Sequence, residues 1–159
     1  MEWMSMREVT RENWRAALDL AVRPEQQRFV SDYTPIAAIA LAKAYVRPGG
    51  LVWTPYAFYV DGQMVGFATL AYEPDSAKSY WLRHFFIDQR FQARGFGRKA
   101  LQTFIRHVAA LHPACRAIQL TVHPENERAR RLYVAAGFRP TGAERDDEPV
   151  YRLDLARVS

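Results

Sequence analysis

The chain has 159 residues, about half of them apolar, which is typical of one compact folded domain. Its apolar stretches fall short of the ~20 residues of a membrane span, and residues 1–7 show no signal-peptide core. The lone Cys115 excludes an internal disulfide, so we expect a cytoplasmic protein outside the membrane. The net charge of +5, from 22 Lys and Arg against 17 Asp and Glu, is compatible with a phosphorylated ligand, with nucleic acid or with a solvated arginine-rich surface.

The first part of the chain reads as a short strand followed by two helices. No internal repeat or linker is evident, so we predict a single domain over residues 1–159. A strand at Met6 to Val9 comes first, and Thr10 then caps a helix from Arg11 to about Val22. Thr34-Pro35, a capping hydroxyl followed by proline at the first helical position, begins a helix that ends near Val46.

A hairpin is expected in the middle of the chain. Asp61-Gly62 favours a two-residue turn with positive φ, and strands at Tyr56 to Val60 and Gln63 to Tyr72 flank it. The next strand, Tyr80 to Asp88, is almost uniformly apolar in its second half. That pattern is typical of a strand buried on both faces in the middle of a sheet.

The second half of the chain alternates helices and strands. We predict a helix at Gly97 to Leu111, a strand at Ala117 to Val122, a helix at about Glu127 to Ala136, and final strands around Phe138 to Glu144 and Pro149 to Leu155. The predicted fold class is therefore α+β. It has a mixed, mostly antiparallel sheet of about seven strands, flanked by about four helices.

A glycine-rich turn, Gln92-Ala93-Arg94-Gly95-Phe96-Gly97, joins the apolar strand to the amphipathic helix. Glycine allows the backbone to approach a ligand closely, and the first N–H groups of the following helix favour an anion. Arg94, Arg98 and Lys99 add positive charge at the same place. The turn therefore predicts a pyrophosphate site, and a turn that merely permits tight packing is the alternative.

Two other phosphate motifs fit this turn less well. The P-loop requires Gly-Lys-Ser/Thr, whereas Gly97 is followed by Arg98-Lys99-Ala100. The stretch from Gly95 to Ala100 does match the dinucleotide pattern G-x-G-x-x-A. That fold, however, needs an acidic residue at the end of the next strand, ~20 residues on, where Thr121-Val122-His123 lies.

Two motifs carry a resemblance to a known family. Gln92-x-x-Gly95-x-Gly97, following Phe85-Phe86-Ile87-Asp88, resembles the coenzyme A motif of GNAT N-acetyltransferases. The segment from Asn126 to Phe138 resembles the second motif of that family, N-x-x-A-x-x-L-Y-x-x-x-G-F. The element order also resembles the GNAT fold over nearly the whole chain, and this implies a sheet that splays between its fourth and fifth strands.

Three further segments resemble the bacterial spermine/spermidine (diamine) acetyltransferase branch of this family. They are Val22 to Val30, Tyr80 to Asp88 and Gly137 to Gly142. The resemblance implies direct transfer of an acetyl group from acetyl-CoA to a primary amine in a ternary complex, with no metal. It also implies a homodimer, with which the aromatic residues Trp3 and Tyr151 are compatible.

The resemblance assigns roles to individual residues. The turn would hold the cofactor pyrophosphate, Phe85 to Ile87 would pair with the pantetheine arm like an added strand, and Asn126 would contact that arm. Tyr133 would face the thioester sulfur. The expected cofactor-binding residues are Phe85, Phe86, Ile87, Gln92, Ala93, Arg94, Gly95, Phe96, Gly97, Arg98, Lys99, Asn126, Arg130 and Tyr133.

Acetyl transfer to an amine needs a neutral amine, a stabilised oxyanion and a proton for the leaving thiolate. Tyr133 matches the position of the general acid, since a tyrosine of ordinary pKa ~10 is protonated at neutral pH. The alternative interpretation of Tyr133 is that it is an aromatic residue packed in the core. The base stays open between Glu73, His84 and water chains without a protein base. Arg83 and His84 occupy positions where polyamine acetyltransferases tend to carry an acid.

Acidic residues in the N-terminal helical region and at the end of the hairpin are candidates for binding the acceptor. They are Glu25, Asp32, Glu73 and Asp75. A polyamine, another small amine, and a peptide or protein amine all remain possible acceptors. His107, His112 and Cys115 lack the spacing of a zinc site. A nucleic-acid module is the alternative of another class, but the aromatic residues do not interleave with the basic ones, so we expect no nucleic-acid partner.

Overall fold

Seven strands form the centre of the fold in the computed structural model, which describes residues 3–156. They are β1 (Met4–Glu8), β2 (Val52–Val60), β3 (Gln63–Tyr72), β4 (Tyr80–Ile87), β5 (Ala117–Thr121), β6 (Arg139–Arg145) and β7 (Glu148–Asp154). Their order across the sheet is β1-β2-β3-β4-β5-β7-β6. Neighbouring strands are antiparallel except β4 and β5, which are parallel. The predicted mixed, mostly antiparallel sheet is confirmed.

Five α-helices accompany the sheet within the described residues. They are α1 (Trp14–Leu18), α2 (Gln27–Val30), α3 (Ile36–Val46), α4 (Phe96–Leu111) and α5 (Glu127–Ala135). Over residues 3–156, none of them is long and apolar enough to cross a bilayer. Short 3-10 turns at Pro24–Gln26, Pro48–Gly50 and Gln89–Phe91 complete the helical structure.

The prediction of one continuous helix from Arg11 to Val22 was wrong. α1 ends at Leu18, because the backbone N–H of Ala21 donates to the carboxylate of Asp88 (2.9 Å) instead of continuing the helix. The 3-10 turn and α2 then form a separate unit. The helix predicted from Thr34-Pro35 begins one residue later, since Pro35 has an extended ψ of 145° and is the residue that precedes α3.

The sheet has a helical layer on each face. The apolar side of α4, with Leu101, Phe104 and Val108, packs on one face together with Tyr133 and Phe138. α1 and α3 pack on the other face through small residues, among which Ala17, Ala37 and Ala40 are fully buried. Alternate residues of the central strands serve the two cores, as the two-residue period of a strand requires.

The sheet splays between β4 and β5. The two strands share a single register pair, Trp81 with Gln119, and diverge beyond it. A bulge in β4 lies at the same place, because His84 has a φ of 51° and Ala68 of β3 faces both His84 and Phe85. The prediction that this end of β4 is buried on both faces was wrong for Phe85 and Ile87, which are half-buried at the gap.

Asp88 fastens the end of β4 to the N-terminal part of the chain. Its buried carboxylate accepts from the N–H of Ala21, and from the N–H (3.0 Å) and Nε (2.8 Å) of Arg90. We expect Asp88→Ala to lower the free energy of unfolding by about 3 kcal/mol, since buried donors lose their acceptor. Thermal denaturation should show a melting temperature lower by roughly 10 °C.

Asp154→Ala is the matched control for this change. The side chain of Asp154 is 75% exposed and pairs with Arg152 at the surface, so its removal should shift stability by less than ~0.5 kcal/mol. Equal melting temperatures for Asp88→Ala and Asp154→Ala would contradict the role assigned to Asp88.

Candidate active site

A cavity of about 1040 Å³ opens where β4 and β5 diverge. Its walls come from α2 and α3, from the second half of β4, from the glycine-rich turn, from α5 and from the turn between β6 and β7. The residues that line it include Lys43, Arg83, Gly95, Tyr133 and Glu148.

The glycine-rich turn forms an anion cradle at the start of α4. Ala93 and Gly95 both have positive φ, 64° and 79°, and Gly95 is the residue that caps α4. The first N–H groups of this 16-residue helix have no intrahelical acceptor, and they carry the positive end of the helix dipole. The cradle and the cavity are continuous, because Gly95, Gly97 and Arg98 line the cavity. This geometry fits a pyrophosphate.

The basic residues beside the cradle differ in placement. Arg98 lines the cavity, whereas Arg94 and Lys99 do not. The Arg94 guanidinium lies 5.7 Å from the centre of the Phe91 ring, and the Lys99 ammonium lies 5.9 Å from that of Phe96. Arg98 is therefore the basic side chain of this turn that faces the cavity.

Gln92 holds the turn in place through its side chain. Its amide nitrogen donates to the backbone oxygen of Ile87 and to the side-chain oxygen of Gln26, both at 3.0 Å. Gln26 donates back to the oxygen of Gln92 at 3.2 Å. The amide pair ties the end of β4 to the 3-10 turn before α2 and so fixes one wall of the cavity.

One backbone edge of β4 faces the cavity. Phe86 and Ile87 pair with Phe67 and Gly66 of β3 on one side, while the side toward β5 carries no register pair beyond Trp81 among the described residues. Gly66 permits this close pairing, because a Cβ there would lie 2.9 Å from the Phe86 oxygen. An exposed strand edge of this kind can accept an extended ligand by main-chain hydrogen bonds.

Tyr133 on α5 lines the same cavity. Its ring packs against Phe138 and Phe85, with centroids 5.9 and 6.4 Å apart, and its side chain is almost fully buried. Burial, with a smaller effect of the Glu148 carboxylate, raises the pKa of the Tyr133 hydroxyl well above its usual value of 10.0. Tyr133 is thus both a core aromatic and a protonated hydroxyl at the cavity wall.

Asn126 and Arg130 were expected to contact the cofactor. Asn126 lines the cavity and caps α5, accepting from the N–H of Ala129 at 3.3 Å. Arg130 is paired with Glu127 and lies outside the cavity lining, whereas Arg128 and Arg131 line it. These two are three residues apart and share a helix face, a spacing by which the sequence could have indicated them.

His84 lies at the β4 bulge beside Lys43. Its Nε2 is 3.2 Å from the Lys43 ammonium, and its buried Nδ1 has no hydrogen-bond partner among the described residues. Burial, and then the charges of Lys43 and Arg83, lowers the pKa of His84 to about 4. The imidazole is therefore neutral at pH 7 and is a weak base.

The acidic residues that were predicted to bind the acceptor do not all lie at the cavity. Asp32 lines the cavity, but Glu25, Glu73 and Asp75 do not. Glu73 lies beyond the far end of β4, because its backbone N–H donates to the oxygen of Ser79, which is five residues or roughly 17 Å before His84.

Asp146 and Glu148, which we did not anticipate, line the cavity instead. Glu148 is half-buried and accepts from the Thr121 hydroxyl at 2.9 Å. The run Asp146-Asp147-Glu148 at the last hairpin is the signal in the sequence that could have indicated them.

The fold and this cavity define an acyltransferase, and residues 3–138 match the family model described as Acetyltransferase (GNAT) family. The chain belongs to the GNAT acetyltransferase family, which confirms the resemblance found in the sequence. It is 34% identical over 144 residues to the spermine/spermidine N(1)-acetyltransferase of Bacillus subtilis, covering 87% of this chain and 90% of that protein.

Solved structures share the fold at low sequence identity. The spermidine N-acetyltransferase of Vibrio cholerae in complex with CoA and spermine has a TM-score of 0.72 and 16% identity, over 96% of this chain and 94% of that chain. The PaiA N-acetyltransferase of Thermoplasma acidophilum in complex with coenzyme A has a TM-score of 0.68 and 11% identity, over 96% and 99%.

Proposed function

We propose that this enzyme transfers an acetyl group from acetyl-CoA to a small primary amine, directly and within a ternary complex. The observation that carries the proposal is the continuity of one cavity, which joins the anion cradle at Gly95, the open edge of β4, and the side chains of Tyr133 and Glu148. Acetyl-CoA supplies an activated acetyl thioester when it is bound there.

Several elements are suited to hold this cofactor. The N–H groups from Gly95 to Arg98 would bind the pyrophosphate, with Arg98 adding charge. The backbone of Phe85 to Ile87 would pair with the pantetheine arm along the open strand edge, and Asn126 would contact it from α5. Arg128 and Arg131 extend the basic wall on the same side.

Two side chains are placed to move the protons of the reaction. Glu148 takes one proton from the acceptor ammonium, and the neutral nitrogen then forms a bond to the acetyl carbon. As the carbon–sulfur bond breaks, the Tyr133 hydroxyl donates its proton to the departing thiolate. The nitrogen sheds a second proton when it becomes an amide, which restores Tyr133, and Glu148 releases its proton to solvent. Glu148 is our candidate for the base because it faces the cavity near Tyr133, unlike Glu73.

Polyamines are the first acceptors to test. The curated relatives are named as spermine/spermidine and probable spermine acetyltransferases. The carboxylates of Asp32, Asp146 and Glu148 face the cavity and could bind a cationic amine. Another small amine, an amino acid or a peptide amine would meet the same carboxylates.

Release of coenzyme A measures this activity directly. With acetyl-CoA and a panel of spermidine, spermine, putrescine, amino acids, aminoglycosides and a lysine peptide, we expect saturable, acceptor-dependent thiol release. A thermal shift with acetyl-CoA alone provides the second readout. Failure of acetyl-CoA both to stabilise the protein and to react with any amine would contradict the proposal.

Assembly and domain organisation remain predictions. We propose a single domain over residues 1–159 and a cytoplasmic homodimer. Trp3 is 78% exposed and is available for contact between subunits, whereas Tyr151 is buried and cannot contribute. Sedimentation of the purified protein would give the oligomeric state.

A further inference from the structure

Arg83 places a guanidinium on the wall of the cavity, at the start of the β4 bulge. The residue is half-buried. No hydrogen bond or ion pair joins its side chain to the other residues between 3 and 156. A charge that is partly removed from water ordinarily has a partner of opposite charge, because the loss of hydration is costly.

Lys43 brings a second cation to the same place. It projects from α3, lies 3.2 Å from the His84 Nε2 and stacks 4.9 Å from the centre of the Trp53 ring. Neither contact supplies a negative charge. Burial and then the charge of Arg83 lower the pKa of Lys43, which reflects how close the two cations are.

These cations are separate from the anion cradle that suits the pyrophosphate. Arg83 lies four residues, or roughly 13 Å, before Ile87 along β4, and the cradle follows only after another turn. The group they accept therefore belongs to the acceptor side. An arginine fork binds a carboxylate or a phosphate in a bidentate manner.

The surrounding acids decide between these anions. Asp32, Asp146 and Glu148 line the same cavity, and Asp146 and Glu148 act electrostatically on Arg83, as does the cation Arg145, which lies outside the cavity lining. Their negative charge disfavours a dianionic phosphate more than a carboxylate, and it favours an ammonium. A ligand that carries both an ammonium and a carboxylate satisfies both sets of charges.

We propose that the acceptor is a small amine that also bears a carboxylate, such as a diamino acid, with the carboxylate held by Arg83 and Lys43 and the reacting amine held toward Glu148. This proposal rests on the proposed acetyltransferase function and narrows its substrate class. It distinguishes the chain from an enzyme whose best acceptor is a plain polyamine.

This proposal is tested with pairs of acceptors that differ only by the carboxylate. Lysine is compared with cadaverine and ornithine with putrescine, by thiol release and by mass of the acetylated product. We expect kcat/KM to be at least tenfold higher for each amino acid. Arg83→Gln should lower kcat/KM for lysine by about 100-fold, mostly by raising KM. The same variant should keep kcat/KM for cadaverine within about threefold of the wild-type value.

Further variants separate binding from folding. Arg83→Lys, which keeps the charge, should retain part of the activity with lysine. Lys43→Gln should lower kcat/KM for lysine more than kcat/KM for cadaverine. Arg106→Gln, an exposed arginine on α4, is the matched control and should change neither acceptor. Thermal melts establish that each variant is folded.

The outcomes are distinguishable from failure of the proposed function. Equal or better activity with cadaverine, putrescine or spermidine, together with an unselective Arg83→Gln variant, overturns the carboxylate site and leaves the acetyltransferase intact. Absence of thiol release with every amine overturns both proposals. Selective loss of the amino acid in Arg83→Gln supports the carboxylate site.

Discussion

Replacing Tyr133 with phenylalanine should lower kcat by about 100- to 1000-fold, because the departing thiolate loses its positioned proton donor. The ring fills the core between Phe85 and Phe138, and phenylalanine preserves that packing. The melting temperature and the affinity for acetyl-CoA should therefore change little. Steady-state thiol release and a thermal shift with acetyl-CoA measure the two effects separately.

Tyr45→Phe is the matched control, since this side chain is 91% exposed on α3 and should be neutral. The raised pKa of Tyr133 also has a consequence for pH dependence. Its hydroxyl stays protonated beyond pH 10.0, so an alkaline loss of activity below that pH must come from another group. Turnover within about twofold of wild type in Tyr133→Phe would remove this residue from the mechanism.

Local signals in the sequence predict most of the sheet and the long helix. Asp61-Gly62 adopts positive φ at both residues, as its turn type requires, and the strands on either side pair in the expected hairpin. α4 repeats apolar residues at helical spacing and was predicted to within one residue. These elements follow from propensity and periodicity within a short window of chain.

The N-terminal helical region does not follow from such signals. α1 ends where Ala21 meets Asp88, a residue 67 positions later in the chain. The apolar spacing around Leu18 and Leu20 fits a longer helix equally well. Only the tertiary contact decides between the two, so the sequence alone predicted a helix that is too long.

In the candidate site, too, the sequence predicts what depends on neighbouring residues and misses what depends on distant ones. The anion cradle is local, because Gly95 caps the helix that follows it, and its motif is contiguous. The acid at Glu148 is not local. It reaches the cavity because β7 lies between β5 and β6, which brings the start of β7 beside Thr121. The spacing of residues along the chain does not predict that β7 lies between β5 and β6.

Glu148→Gln should lower kcat/KM at pH 7 by about 100-fold, because the ammonium of the acceptor loses its proton acceptor. Glutamine keeps an oxygen that can accept from the Thr121 hydroxyl, so the local structure should persist. Glu144→Gln, on an exposed position of the same hairpin, is the matched control and should retain full activity.

The pH profile identifies the step that Glu148 serves. A primary amine has a pKa of about 10.4, so its neutral fraction in solution rises about tenfold per unit between pH 7 and pH 9. An enzyme that lacks its base depends on this pre-formed neutral amine, so the defect of Glu148→Gln should shrink as the pH rises. If Glu148 served only to bind the ammonium, the defect would stay nearly constant over this range, because an amine with a pKa of about 10.4 remains mostly protonated up to pH 9. A ratio of wild-type to variant kcat/KM that does not fall between pH 7 and pH 9 therefore contradicts a base at Glu148, whereas a falling ratio assigns it the proton.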